Sequence, residues 1–274
     1  IILDYLTKKK YEEAENIINE LLSSENDNTY EFVILKSLES YNYSFLYKKI
    51  KKKDGNLGRI DLISDAFQNC YLNSSKTNPS FLNIINFQEN DYSRYLFFYL
   101  GNVIENQDYE TANEISKTID PLKSGLLIAQ ASKWIENNDY KKFNDYFSCK
   151  TEADLLSEFF FLISNLYSSQ DLFKQSNFYL YISNYLNPKF YFNLSLLVEN
   201  YHLKDNFFLA KKILKKFKNE DEVYHWYKIK KNTQFLTEQK NDEMALAYIE
   251  KNINKFKNPS NKILYDIANI YKKF

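Results

Sequence analysis

Histidine and cysteine are the side chains of this sequence whose chemistry is easiest to recognise, because they serve as general bases, metal ligands and nucleophiles. His202 and His225, the only two histidines, have no Cys, Asp or Glu cluster at ligand spacing, so the pattern predicts no metal site. Cys70 and Cys149 have no partner motif, which predicts neither a disulfide framework nor a zinc site. We expect both to be buried as small apolar side chains, and we expect no catalytic residues, no enzyme activity and no cofactor.

The basic run from Lys48 to Arg59 ends in Gly55-x-x-Gly58, a spacing similar to the nucleic-acid clamp loop of KH modules. That loop requires neighbouring strands, and none is predicted, so we interpret the run as a solvated helix end and loop. The 36 basic residues balance 36 acidic ones, and Arg59 and Arg94 are the only arginines. Without a global positive field, nucleic acid is not expected as a partner.

The composition predicts an all-α fold. The whole sequence has only four glycines and four prolines, too few for the tight turns of a sheet, while 44% of its residues are apolar. Polar residues interrupt the longest apolar runs, 95–104 and 155–167, and both runs are shorter than the roughly 20 residues that cross a bilayer. No transmembrane segment is therefore predicted.

An aromatic residue followed three places later by a small one recurs along the chain, as in Phe173-x-x-Ser176 and, 34 residues later, Phe207-x-x-Ala210. This step is the period of repeats built from helix pairs. The predicted second helices begin at Tyr11, Tyr109, Tyr140, Phe173, Phe207 and Asp242, and the residues that face the first helix are Ala14, Ala112, Phe143, Ser176, Ala210 and Ala245. Phe143 is the exception to the small-residue rule.

Prolines mark the predicted joints, because proline is tolerated in a first helical turn but not in a helix interior. Pro121, Pro188 and Pro259 are spaced by about two units, whereas Gly55, Gly58 and Pro79 interrupt residues 43–90, where we expect unequal helices. We predict one helical-repeat segment over 1–274, with degenerate repeats in 1–90, more regular ones in 91–258 and the start of another in 259–274. We expect it to be an excerpt of a longer chain, from either cytoplasm or periplasm.

The pattern resembles the tetratricopeptide repeat (TPR) family. Tyr99-Leu100-Gly101-Asn102 followed by Asp108-Tyr109-Glu110-Thr111-Ala112 matches the leucine-glycine, tyrosine and alanine positions of that repeat. The aromatic position late in first helices is filled by Trp134, Tyr167, Tyr201 and Tyr271. Residues 178–192 are similar to repeats of long alphaproteobacterial TPR proteins of unassigned role. The resemblance implies a right-handed α-solenoid of antiparallel helix hairpins.

The same resemblance implies a concave groove, lined by first helices, that binds a protein or peptide. The implied groove residues are Asn102, Glu105, Ser132, Glu136, Asn165, Glu199, His202, Lys230 and Gln234, and exposed aromatic anchors would be Tyr95, Phe161 and Tyr227. Phe98, Ile128, Phe161 and Ser195 occupy the lysine positions of the subclass that binds chaperone carboxyl termini, so that role is not expected. A small-molecule ligand is not expected either.

We therefore hypothesise a non-catalytic protein-interaction scaffold. One alternative is the helical arm of a larger enzyme or cell-envelope assembly protein whose active domain lies outside this sequence. Another is RNA binding by helical repeats, which would require many phosphate contacts and a steep salt dependence; the neutral net charge disfavours it.

Overall fold

The computed structural model describes residues 1–25, 29–51, 57–86, 93–120, 122–256 and 259–273, and every regular element within these ranges is a helix. Pro121 and Gly55 lie outside them, as does residue 274. The α-helices are α1 Ile2–Thr7, α2 Tyr11–Ser24, α3 Tyr30–Tyr47, α4 Arg59–Tyr71, α5 Thr77–Ile85, α6 Ser93–Glu105, α7 Tyr109–Thr118, α8 Leu126–Glu136, α9 Lys141–Tyr146, α10 Glu152–Ser168, α11 Phe173–Leu186, α12 Leu194–His202, α13 Phe207–Leu214, α14 Glu222–Glu238, α15 Asp242–Ile253 and α16 Asn261–Tyr271. The all-α prediction is confirmed for this part of the chain.

The helix starts follow the predicted register. Helices α2, α7, α11, α13 and α15 begin at the predicted residues, and α9 begins at Lys141 rather than Tyr140. The small residue three places on is fully buried in each of these helices, at 0% exposure. Phe143, the exception, is equally buried, and its ring stacks on Phe97 beside Gly101.

One turn geometry recurs before the second helices. A residue with positive φ, such as Asp171, Asp205 or Lys240, stands two positions before the first residue of α2, α7, α11, α13 and α15 and three positions before that of α9. The following N–H donates to a carbonyl five residues back, for example Asn206 N to Tyr201 O at 2.9 Å, which satisfies an otherwise unpaired carbonyl at the helix end. Glycine usually occupies such left-handed positions. This glycine-poor chain places Asn, Asp, Gln or Lys there instead.

The chain divides into two compact units, each made of two segments. Unit 1 comprises Ile1–Asn106 and Phe143–Phe190, and unit 2 comprises Gln107–Lys142 and Tyr191–Phe274. In unit 1, helix α1 contacts α10 as well as its neighbour α2, and in unit 2 helix α8 packs on α14. Such contacts join elements far apart in the sequence.

Unit 1 has an aromatic core that encloses a buried ion pair. Phe67 and Phe98 pack edge to face with ring centroids 4.9 Å apart. The Arg94 side chain donates to the Glu158 carboxylate from Nε at 2.8 Å and lies 3.8 Å above the Phe161 ring. The guanidinium thus meets both a carboxylate and a π face, a combination that arginine supports better than lysine. Phe161, which was predicted to be an exposed anchor, is covered by Arg94. The same prediction for Tyr95 is wrong, because that side chain is buried at 5% exposure.

The less regular region has the unequal helices that were predicted: α3 has 18 residues whereas α5 has nine. Helix α3 ends at Tyr47 and α4 begins at Arg59, so the described part of the basic run is a helix end and loop. Its residues 52–56 lie outside the described ranges. Gly58 precedes α4 with φ of 67°, a conformation that favours glycine.

The two cysteines correct the sequence-based prediction. Both are buried as expected, but they form a disulfide, with Cα atoms 5.7 Å apart, that joins the end of α4 to the loop before α10. Their separation of 79 residues left no local signal, because only the packing of unit 1 brings the two backbones within bonding range.

Breaking this disulfide should destabilise the protein, because it releases a long loop in the unfolded chain. For the 79-residue separation, the loop-entropy relation gives about 4 kcal/mol of the free energy of unfolding. Urea unfolding with and without dithiothreitol measures the loss, and the Cys70→Ala/Cys149→Ala variant should then be insensitive to the reductant. An unchanged unfolding midpoint of the wild type on reduction would contradict the cross-link.

Candidate functional site

The nine predicted groove residues fall into separate places. Asn102 and Glu105 lie on α6 and Asn165 lies on α10, all in unit 1. The other six belong to unit 2 and form two sets. Ser132, Glu136 and Lys230 line one cavity, while Glu199, His202 and Gln234 form a polar cluster between α12 and α14.

The cavity lies entirely among residues of unit 2, and we call it the unit 2 groove. Its volume is about 440 Å³, within the range of ligand pockets. Its walls come from the end of α7, from α8, from α14 and from the first half of α16. Ala129, Val223, Trp226 and Ile263 supply apolar surface, and lysines stand among the polar lining residues.

A side chain of α8 caps the start of α14 and so joins the two helices. Gln130, which is 1% exposed, accepts hydrogen bonds at Oε1 from the backbone N–H groups of Val223 at 2.9 Å and Tyr224 at 3.4 Å. The first N–H groups of a helix have no partner within it, and the residue before the helix normally supplies one. Here the side chain of another helix does so, and the cap residue Asp221 makes no cap hydrogen bond itself.

Asp221 instead binds three other side chains. Its buried carboxylate accepts from Trp134 Nε1 at 3.1 Å, from Lys142 Nζ at 2.8 Å and from the Tyr191 hydroxyl. Trp134 and Lys142 come from the first stretch of unit 2 and Tyr191 from the second. The carboxylate therefore holds the two stretches together beside the groove.

Helix α16 is held to α14 by Asp266 and by apolar packing. The Asp266 carboxylate accepts from Trp226 Nε1 at 2.9 Å and pairs with Lys230 at 3.0 Å. Ile263 packs in one cluster with Trp226 and Ile229. These contacts set the position of the groove wall formed by α16, and they give the indole N–H of Trp226 a hydrogen-bond acceptor.

The groove carries more positive than negative groups. Its ionisable lining residues are Lys117, Lys133, Lys230, Lys262, Glu136 and Asp266. Lys133 pairs with Glu136 at 3.2 Å and lies 3.8 Å from Glu222, just outside the lining. The Oγ atom of Ser132 is buried in the lining and has no hydrogen-bond partner among the described residues.

The polar cluster between α12 and α14 is internally paired. Glu199 accepts from Tyr227 at 3.2 Å and Lys231 at 2.7 Å, and His202 Nε2 lies 2.6 Å from a Glu238 oxygen. Burial would raise the pKa of Glu238, but hydrogen bonds from His202 and Gln234 outweigh it and lower the pKa. Burial and the Glu199 charge raise the pKa of Tyr227. The cluster ties α12 to α14.

In unit 1 the predicted residues also have partners. Asn102 donates to Asn78 at 2.9 Å, and Glu105 pairs with Lys150 at 3.0 Å in the loop before α10. Asn165 is exposed on α10. The same loop is held by Asp154, whose carboxylate accepts from Ser148 N at 2.9 Å.

Burial also displaces the pKa of the Asp154 carboxyl. Burial raises its pKa from 3.8 to about 6, although the Ser148 N–H and the charge of Lys189 act in the opposite direction. The proton is therefore taken up more readily in the folded chain than in the unfolded one.

Exposed aromatics that the sequence did not reveal lie on α11. Phe178, Tyr181 and Tyr185 are 59%, 46% and 79% exposed at helical spacing along one side of the helix. Their neighbours in the sequence are also aromatic, so the composition of α11 did not show which of its aromatic side chains are exposed. Of the predicted anchors, Tyr227 lines the unit 2 groove.

The described residues contain no group of three or more His, Cys, Asp or Glu arranged to hold a metal ion. His225 packs against Phe256, with ring centroids 5.2 Å apart, and its pKa is lowered by burial and by Lys228 and Lys255. Within the same residues, no helix combines the length and apolarity needed to cross a membrane.

Neither a family model, nor a curated protein, nor a solved structure matches this chain.

Replacing Asp154 should change how stability depends on pH. Between about pH 4 and pH 6 the folded chain holds a proton that the unfolded chain has lost, so this carboxyl makes the free energy of unfolding fall as pH rises. Asp154→Asn should be more stable than wild type at pH 7, by up to about 3 kcal/mol, with no difference at pH 4. Urea unfolding across this range measures it, with the exposed Asp145→Asn as control; equal stabilities at pH 7 would contradict the raised pKa.

Replacing Asp221 should destabilise unit 2, whose helices form the groove. Asp221→Ala leaves a half-buried lysine, a buried indole N–H and a buried tyrosine hydroxyl without their acceptor, and we expect a loss of about 3–5 kcal/mol in the free energy of unfolding. Thermal and urea unfolding followed by circular dichroism test this, with Glu114→Ala, on the exposed side of α7, as the control. A variant as stable as wild type would show that the two stretches do not depend on this carboxylate.

Proposed function

We propose that this chain is a non-catalytic scaffold that binds a segment of another protein in the unit 2 groove. The observation that carries the proposal is the groove itself, where apolar surface from Leu126 and Ala129 lies among lysines. Pockets that bind ligands combine apolar walls with a few converging polar groups. A peptide segment offers both kinds of group.

The groove is also held rigid before any ligand arrives. Gln130 joins α8 to α14, Asp221 joins the two stretches of unit 2, and Asp266 joins α16 to α14. A preorganised site loses less conformational entropy when it binds, which raises affinity for a given contact area.

The chemistry of the lining favours binding over catalysis. The residues that line the groove include neither histidine nor cysteine, and the carboxylates of Asp266 and Glu136 are paired with lysines. A general base needs a group with a pKa near neutrality within reach of the substrate. Lysines and paired carboxylates serve better as recognition groups.

We further propose that the helix pairs follow a tetratricopeptide path, a right-handed array whose first helices line the binding face. The proposal is supported by the helix starts at the repeat register and by the burial of the small residues in second helices. Helices α8, α14 and α16, which form three walls of the groove, are first helices in that register, whereas α7, the fourth wall, is a second helix, and the direct contact of α8 with α14 departs from a regular stack.

Filling the groove should abolish peptide binding without unfolding the chain. Ala129 faces the groove from α8, so Ala129→Trp should occupy much of its volume, whereas Ala247→Trp, on the exposed side of α15, should not. A phage-displayed library of random peptides is selected on the wild-type protein and depleted on the Ala129→Trp variant.

We expect peptides that bind wild type and Ala247→Trp alike, and that bind Ala129→Trp at least about tenfold more weakly in fluorescence anisotropy. Circular dichroism confirms that both variants keep their helices. Recovery of no such peptide, or of peptides indifferent to Ala129→Trp, would reject the groove as the binding site.

A further inference from the structure

We propose that the segment bound in the unit 2 groove is acidic, with carboxylates placed around one apolar side chain. The inference rests on the proposed function and specifies its partner. It follows from the lysines of the groove that have no carboxylate partner, from the apolar surface between them, and from the neutrality of the chain as a whole.

Two of the four lysines have no carboxylate partner. Lys117 is exposed in the last turn of α7 and forms no ion pair among the described residues. The Nζ atom of Lys262 donates at 3.0 Å to the carbonyl oxygen of Leu122, a neutral acceptor. Both lysines line the groove, so their charges are available to an anionic ligand.

The carboxylates of the groove do not cancel these charges. Asp266 is paired with Lys230 at 3.0 Å and also accepts from Trp226, and Glu136 is paired with Lys133 at 3.2 Å. Each of these pairs is locally neutral. Glu222, just outside the lining and 3.8 Å from Lys133, offsets one further charge, so the four lysines exceed the nearby carboxylates by one, whereas the whole sequence has a formal net charge of zero.

Between the charges lies surface for one apolar side chain. Leu126 and Ala129 on α8 face Val223 on α14 and Ile263 on α16 across the cavity. Burying an apolar group there supplies affinity, and the lysines supply charge selection, because complementary charges mainly govern specificity and association rate.

A peptide fits these features better than a nucleic acid. Single-stranded nucleic acids require aromatic faces on which bases stack and a basic track for successive phosphates. Of the two aromatic rings that line the groove, Trp226 is only 3% exposed and Tyr227 is half-buried with its hydroxyl bound to Glu199, and only two of the lining lysines lack a carboxylate partner. A cavity of about 440 Å³ accommodates a short stretch of peptide rather than an extended strand of nucleotides.

The test uses fluorescein-labelled peptides that differ only in charge: repeats of Glu-Glu-Leu, of Ser-Ser-Leu and of Lys-Lys-Leu, with a labelled oligo-uridylate as the nucleic-acid probe. Fluorescence anisotropy with the whole chain measures the dissociation constants. The glutamate peptide should bind at least about tenfold more tightly than the serine peptide at low salt, and the advantage should shrink as salt screens the groove lysines.

Charge-reversal variants identify the lysines responsible. Lys117→Glu changes an exposed side chain and should leave the fold intact. The double variant Lys117→Glu/Lys262→Glu should weaken binding of the glutamate peptide by at least about tenfold. The matched control is Lys212→Glu/Lys216→Glu, which reverses two exposed charges of unit 2 outside the groove. Circular dichroism checks that each variant is folded.

The outcomes separate the inference from the proposed function. Equal binding of the glutamate and serine peptides, or an equal loss in the matched control, would overturn acidic selectivity while peptide binding stands. Preferential binding of the oligo-uridylate would overturn the choice of a peptide. Failure of all three peptides, together with failure of the phage selection, would overturn both proposals.

Discussion

A buried carboxylate with three donors is the interaction on which unit 2 depends. This unit is built from two stretches of chain, and Asp221 accepts hydrogen bonds from Trp134 and Lys142 in the first and from Tyr191 in the second. Removing a carboxylate from water is so unfavourable that it persists in the interior only when its acceptor positions are filled. The position of all three donors is therefore tightly determined, and helices α8 and α14 are brought to the distance that forms one side of the groove.

The walls of the unit 2 groove and the fold share the same polar contacts. Gln130 completes the start of α14, and Asp266 fixes α16 while satisfying the Trp226 indole, so the groove walls are positioned by groups that also prevent unpaired buried donors. Lys117, which also lines the groove, differs from these residues, because its side chain is exposed and forms no ion pair among the described residues. This division lets a ligand be selected by charges that can change with little effect on stability, since exposed charges contribute little to folding.

The sequence predicted the helices well because their signals are local. The starts of α7, α13 and α15 are marked by Asp108, Asn206 and Asn241, whose side chains accept the N–H three residues on. The candidate site was predicted only in part: Ser132, Glu136 and Lys230 line the groove, but Lys117 and Lys262 were missed. They lie on α7 and α16, and nothing in the repeat register indicates that these helices border one cavity.

The amino-acid sequence by itself determined the all-helical class and where the second helices begin, because a helix depends on hydrogen bonds and side-chain contacts spanning three to five residues. Only the tertiary structure decided that α8 packs on α14, that Cys70 bonds to Cys149 and that Asp221 is buried. Each of these requires groups distant in the chain to meet, and the choice of partner depends on packing of the entire unit. An aspartate before a helix reads as an ordinary cap, and its role as the buried acceptor of unit 2 exists only once Trp134, Lys142 and Tyr191 surround it.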